Sequence, residues 1–177
     1  MLNRVMRLAT TGAVIMALIG CASGVTRQAQ NAEKPQLTTE RIGKVVVTLT
    51  PEAERKVADN QGFSTEQLAS VIKNEIGNRK MIDSASATTL DVEVTDFRVR
   101  STFSAVMFGF MAGNDNVTGK VQLRGPNGDT EPFEVSASYA LGGLAGGQDG
   151  SRMGWLYGQF AKLVAVELYG ESEETGR

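Results

Sequence analysis

The spacing of hydrophobic and polar positions changes several times along this chain, and each change marks an element. Residues 42–49 (Ile-Gly-Lys-Val-Val-Val-Thr-Leu) form a nearly continuous β-branched run closed by Thr50-Pro51, the pattern of a buried strand. Residues 51–60 are polar and read as a helical turn or a loop. From Ser64 the period becomes helical: Leu68, Val71, Ile72 and Ile76 stand at i, i+3, i+4 and i+8 on one face. Ser64 is placed to cap that helix, with Gln67 completing a capping box and Phe63 and Leu68 at the staple positions. Gly77-Asn78 suits its C-terminal stop. Met81-Ile82 reads as a brief strand. Beyond Thr89 the period is two: Leu90, Val92 and Val94 alternate with Asp91, Glu93 and Thr95, a strand with one wet face. The apolar phase slips at Asp96 and resumes at Phe97 and Val99, which predicts a β-bulge.

Alternation returns with Val117, Gly119, Val121 and Leu123, and again with Phe133, Val135, Ala137 and Tyr139. Gly125-Pro126-Asn127-Gly128-Asp129 is a turn by composition, so the two runs predict an antiparallel hairpin, with Pro132 at a strand end or edge. A glycine-rich loop over residues 142–150 then leads to a second helix, capped by Ser151 or Asp149. That helix has Met153, Leu156, Tyr157, Phe160, Leu163, Val164 and the Glu167-Leu168 pair on its apolar face and ends at Gly170. Residues 171–177 are a polar, acidic tail. The expected fold is α+β, in the order β-α-β-β-β-α: a mostly antiparallel sheet of about four strands with two helices packed on one face.

The N-terminus is patterned differently. Arg4 and Arg7 form a short basic head, residues 8–19 are apolar, and the run ends in Leu18-Ile19-Gly20-Cys21. Positive head, hydrophobic middle and small residue before a cut are the layout of a secretory signal peptide. The apolar run is shorter than the roughly 20 residues a membrane span needs. Leu-Ile-Gly-Cys resembles the lipobox of bacterial lipoproteins, in which the cysteine thiol receives a diacylglyceryl group before the signal is removed. That resemblance implies cleavage between Gly20 and Cys21 and a mature chain that begins at lipidated Cys21. Ala22 and Ser23 follow, where an inner-membrane retention signal would have Asp, so the resemblance implies the outer membrane, facing the periplasm. The expected organisation is a signal peptide over 1–20, the lipidated cysteine and a flexible tether over 21–41, one domain over 42–170, and the tail. As a coil of about 20 residues, the tether reaches roughly 25 Å.

Composition narrows the chemistry. The chain of 177 residues has a net charge of −2; losing Arg4 and Arg7 from its 18 basic residues leaves 16 against 20 acidic ones, a net of −4. A mildly acidic chain argues against nucleic acid, which calls for a basic stripe. There is no histidine, which removes the commonest general base and metal ligand and with them Ser-His-Asp and Cys-His hydrolases and His-containing zinc sites. The single cysteine, Cys21, permits no intrachain disulfide, and once acylated it offers no thiol. No cofactor or metal is expected.

Candidate sites are therefore few. Phe103, Met107, Phe108, Phe110 and Met111 cluster between two strands, where they either cap one end of the core or form a contact surface. The glycine-rich loop opens a helix, as phosphate-binding loops do, but lacks the Gly-Lys-Ser/Thr ending and the dinucleotide spacing. Asn114-Asp115-Asn116, Asp129 and Asp149 read as acids in turns. Asp91 and Glu93 read as an exposed strand face, Arg98 and Arg100 as cations sharing the outward face of their strand, and Trp155 as a residue off the helix's apolar stripe.

Taken together, the run from 91 to 100, the Phe-Gly-Phe-Met-Ala-Gly stretch from 108 to 113, the Pro-Asn-Gly hairpin and the glycine loop before a final helix resemble a family of small bacterial lipoproteins with a domain of unknown function. The order of elements is also similar to the N-terminal domain of TolB, by fold-level analogy. The expected role is a non-catalytic envelope component, not an enzyme, bound to the membrane through acylated Cys21 and acting by contact with an envelope protein. The alternative is a periplasmic-side binder of a small ligand (lipid, glycan or anion) through the 103–111 cluster or the glycine loop.

Overall fold

The computed structural model describes residues 23–27, 38–58, 62–101, 113–139 and 149–171. Among the described residues six strands and three helices follow in the order β1 (Gly24–Arg27), β2 (Lys44–Leu49), α1 (Pro51–Ala58), α2 (Thr65–Asn78), β3 (Thr89–Arg98), β4 (Asp115–Gly125), β5 (Gly128–Asp129), β6 (Phe133–Tyr139) and α3 (Asp149–Tyr169). The strands make one sheet in the order β1-β6-β4-β3-β2, with β5 paired to β4.

The fold is α+β, but the sheet is larger than the expected four strands and is mixed. β2 and β3 run parallel, Lys44 opposite Thr89 and Leu49 opposite Val94. The reason is the connection between them: a chain that passes through a helix returns to the end it left, whereas antiparallel neighbours need only a tight turn. The second difference is β1. Residues 24–27 lie inside the expected tether, yet they pair antiparallel with β6, Gly24 opposite Ser136 and Arg27 opposite Phe133. A four-residue Gly-Val-Thr-Arg segment has too little pattern to announce a strand, and its partner lies more than a hundred residues away. Residues 51–58, read as part of a helical turn or a loop, form the short helix α1, with Thr50 Oγ1 accepting the Ala53 N–H at its start. Met81-Ile82 contributes only an isolated parallel bridge, Ile82 to Ile42.

Leu90, Val92, Val94 and Phe97 of β3, Val117, Val121 and Leu123 of β4, and Phe133, Val135 and Ala137 of β6 are all buried and share one core with α2 and α3. The expected slip occurs: the β3–β4 register shifts between Val94 and Asp96, which returns Phe97 to the buried face opposite Val117. Gly119 occupies an inward position because a Cβ there would sit 3.3 Å from the Phe160 ring and 3.0 Å from the Glu93 carbonyl. α3 thus seats directly against the middle of the sheet.

The cap of α2 forms as the pattern predicts on one side: Ser64 Oγ accepts the Gln67 N–H at 3.1 Å. The reciprocal bond does not come from Gln67, because the Ser64 N–H donates to the Tyr157 hydroxyl of α3 at 2.8 Å. Phe63 packs edge-on to Phe97 and Tyr157, with ring centroids 4.7 and 5.7 Å apart, and ties α2, α3 and β3 together. α2 stops at Asn78, as Gly77-Asn78 suggests, but the residue that turns the chain lies two positions further on. Lys80 takes the left-handed conformation (φ 60°), the Met81 N–H bonds to the Ile76 carbonyl and the Lys80 N–H to the Gly77 carbonyl. This is a Schellman closure made without glycine.

Candidate functional site

The antiparallel pairings bring four chain segments to one end of the sheet. β3 finishes there with Arg98 opposite Asn116, β4 begins with Asp115 opposite Tyr139, and β6 finishes with Tyr139. α3 starts at the same end, since Arg152 in its first turn bonds to Asp115. Residues 102–112 and 140–148 are the two connections that leave this end; both lie outside the described residues, so the expected contact surface (Phe103, Met107, Phe108, Phe110 and Met111) and most of the glycine loop do too. Gly20 and Cys21 also lie outside them.

What holds the roots of these connections together is one buried carboxylate. Asp115 is 0% exposed, and Arg100 and Arg152 are 5% and 1% exposed. Asp115 Oδ1 accepts the Arg100 backbone N–H at 2.7 Å and Arg100 Nε at 3.0 Å; Oδ2 accepts Arg100 Nη2 at 3.2 Å and Arg152 Nη1 at 2.8 Å. Arg152 Nη2 continues to the Arg100 carbonyl at 2.9 Å, and Arg100 Nη2 approaches the Tyr139 carbonyl at 3.5 Å. A carboxylate that accepts several charge-assisted bonds in a dry interior repays its own desolvation.

Two expectations are corrected here. Arg98 and Arg100 do not share the outward face: Arg98 is exposed against Gly113, but Arg100 turns inward to Asp115 beyond the end of β3. Asp115 is no turn acid; it opens β4 in phase with Val117 and Val121, the inward positions. A charge on the buried phase of an alternating run was the available signal. Arg152 carried the same signal, one turn before Leu156 on the apolar stripe of α3. Glu167 was read as part of that stripe, and it is buried there, paired with Arg27 of β1 in a close ion pair. Burial of Arg27 is outweighed by the Glu167 hydrogen bond, which holds its guanidinium pKa above the usual value.

The remaining candidates are dispersed. Asp91 pairs with Arg124 on the outer face and Glu93 is exposed. Asp129 is an exposed residue of β5. Trp155 is 43% exposed and leans on Tyr139, with ring centroids 5.0 Å apart. At the opposite end of the molecule an open groove of about 780 Å3 is lined by Thr38, Arg41, Arg79, Lys80, Tyr169 and Glu171 among others. The Arg79 side chain is only 9% exposed there, bonded to the Gly170 carbonyl and 3.5 Å from Glu75, while its Nε has no partner among the described residues. Tyr169, whose hydroxyl donates to the Glu40 carbonyl at 3.0 Å, has its pKa pushed well up by burial and by the Glu40 charge. Among the described residues no group of three or more acidic, Cys or His side chains is placed to hold a metal, and no helix is long and apolar enough to cross a membrane.

None of the curated proteins matches this chain. Among solved structures it is similar to a PelC variant from Paraburkholderia phytofirmans, described as a dodecamer, with 12% identity and a TM-score of 0.45 over 81% of this chain and 98% of that one. A family model described as a domain of unknown function, DUF4410, matches residues 25–143, from β1 to just past β6 and including both strands that Asp115 and Arg100 join. The chain belongs to the DUF4410 family.

Proposed function

We propose that this protein is a lipid-anchored component of the bacterial outer membrane, facing the periplasm, that acts by contact with other envelope proteins and not as a catalyst. The observation that carries the reading is the Leu18-Ile19-Gly20-Cys21 run behind a basic head and an apolar stretch. Diacylation of Cys21 supplies a stable anchor, because each buried methylene adds about 0.8 kcal/mol and two chains are present. The lack of any histidine supports a non-catalytic role. The clamp around Asp115 supports a contact role, since it ties together the described residues on either side of the segment that carries Phe103, Met107, Phe108, Phe110 and Met111.

The test is Cys21→Ser in a bacterium fed labelled palmitate. The expected outcome is loss of label, retention of residues 1–20 and disappearance from the outer-membrane fraction. Unchanged size, labelling and fractionation would overturn the anchor. Crosslinking of the acylated protein in membranes, with Phe108→Asp/Phe110→Asp as the comparison, tests the contact role: the variant should fold normally and lose its crosslinked protein.

A second reading, a small-ligand binder, is favoured by the groove at the far end, where Arg41, Arg79 and Lys80 gather. An anion such as a carboxylate or phosphate would suit it, and Arg41→Ala with Lys80→Ala should then abolish saturable binding.

A further inference from the structure

β1 leaves almost no slack between the acylation site and the sheet. Ser23 is already bonded into the fold: its hydroxyl accepts the Ser138 N–H at 2.8 Å and lies 3.3 Å from the Ser138 carbonyl. Only Ala22 lies between it and position 21, and two residue steps span at most about 7 Å. Whatever is attached to Cys21 is therefore held beside the end of β6.

That is the end that bears Trp155. It is the only tryptophan in the chain and the one large hydrophobic side chain described as exposed. Its ring rests against Tyr139, the residue after Ser138. Tryptophan and tyrosine favour the layer where lipid headgroups meet acyl chains, because their rings are apolar and their N–H and O–H groups stay hydrated. Exposed Arg98 lies at the same end, against Gly113, where anionic headgroups would attract it.

We propose that this end of the domain rests in the headgroup layer of the membrane that receives the acyl chains, with Trp155 as its interfacial anchor and the groove of Arg41, Arg79 and Lys80 turned away from the bilayer. The inference rests on the acylation of Cys21 proposed above. A short tether makes the second contact nearly intramolecular, so one indole suffices to fix the orientation where it would not recruit a free domain.

The experiment uses the full acylated protein in phosphatidylethanolamine/phosphatidylglycerol vesicles with brominated acyl chains. Mass spectrometry confirms the lipid on Cys21, and Trp155 reports its own depth. The expected result is blue-shifted, bromine-quenched emission, and recovery of solution-like emission when a flexible spacer of about ten Gly/Ser residues, with a reach of roughly 17 Å, is inserted between residues 22 and 23. Acylated protein that sediments with vesicles while Trp155 stays unquenched overturns the docked orientation and leaves the anchor intact. Absence of the diacylglyceryl group on Cys21 overturns both.

Discussion

Removing the Asp115 carboxylate is the sharpest perturbation this fold offers. In Asp115→Asn the shape is kept, but two guanidinium groups, Arg100 and Arg152, remain close together beneath the surface without their shared anion. Breaking a buried ion pair by removing one partner costs about 3–5 kcal/mol, because the stranded charge has given up its water. Here two guanidinium groups lose the same carboxylate, so the upper part of that range is expected. With a urea dependence of about 2 kcal/mol per molar, the unfolding midpoint should fall by roughly 2 M. Trp155, one turn beyond Arg152 in α3, provides the fluorescence signal. The control is Arg124→Leu, which breaks the exposed pair with Asp91 and should barely move the midpoint. If Asp115→Asn and Asp115→Ala both unfold within about 0.3 M of the parent, the carboxylate does not hold the loop roots together and the clamp is misread.

Three further outcomes follow from local geometry. Lys80→Gly should stabilise the protein by about 0.5–1 kcal/mol in urea unfolding, since relief of the left-handed strain (about 1–2 kcal/mol) exceeds the entropy glycine adds to the unfolded chain; a loss of stability would refute the strain. Gly43→Ala should cost about 1–3 kcal/mol, because its Cβ would lie 2.0 Å from the Ser86 carbonyl oxygen and the backbone must move, so a neutral thermal shift would be incompatible with that approach. For Asp96, burial pulls the carboxyl pKa up, but hydrogen bonds from Lys56 and Asn116 outweigh it and leave the pKa below the usual 3.8. A depressed carboxylate stabilises above its unfolded pKa and loses that contribution as pH falls through the folded one, so the advantage of the parent over Asp96→Asn should be full at neutral pH, start to fall at about pH 4 and be lost only once pH has dropped through the folded pKa. A difference constant from pH 7 to pH 3 would remove Asp96 from the account.

The elements legible in the sequence are those whose signal is local. The Ser64 cap, the slip at Asp96 and the turn at residues 125–129 each depend on neighbours a few positions away, and each stands where the pattern put it. Pro126 and Asn127 are the two residues between the paired Gly125 and Gly128, and Gly128 takes the positive φ such a turn needs. What the pattern could not carry is partnership across the chain. β1 is a strand only because β6 offers it an edge, and β2 is parallel only because α2 brings the chain back on the same side. Asp115 and Arg100 were read as surface charges, and Arg152 was passed over, for a related reason. Asp115 and Arg152 are polar by type and inward by phase, whereas Arg100 is outward by the phase of Phe97 and Val99 and turns inward only past the end of β3; choosing between phase and type requires knowing that the three meet.

The placement of β1 also sets an order of events. Its partner β6 is synthesised last among the strands, with Ser23 and Ser138 separated by 115 positions. Synthesis delivers the amino end first, so residues 24–27 have no edge to pair with until β6 has been made. On the proposed acylation of Cys21, an enzyme reaching that residue would work beside an unpaired strand throughout that interval, and the closing of β1 onto β6 would set its deadline.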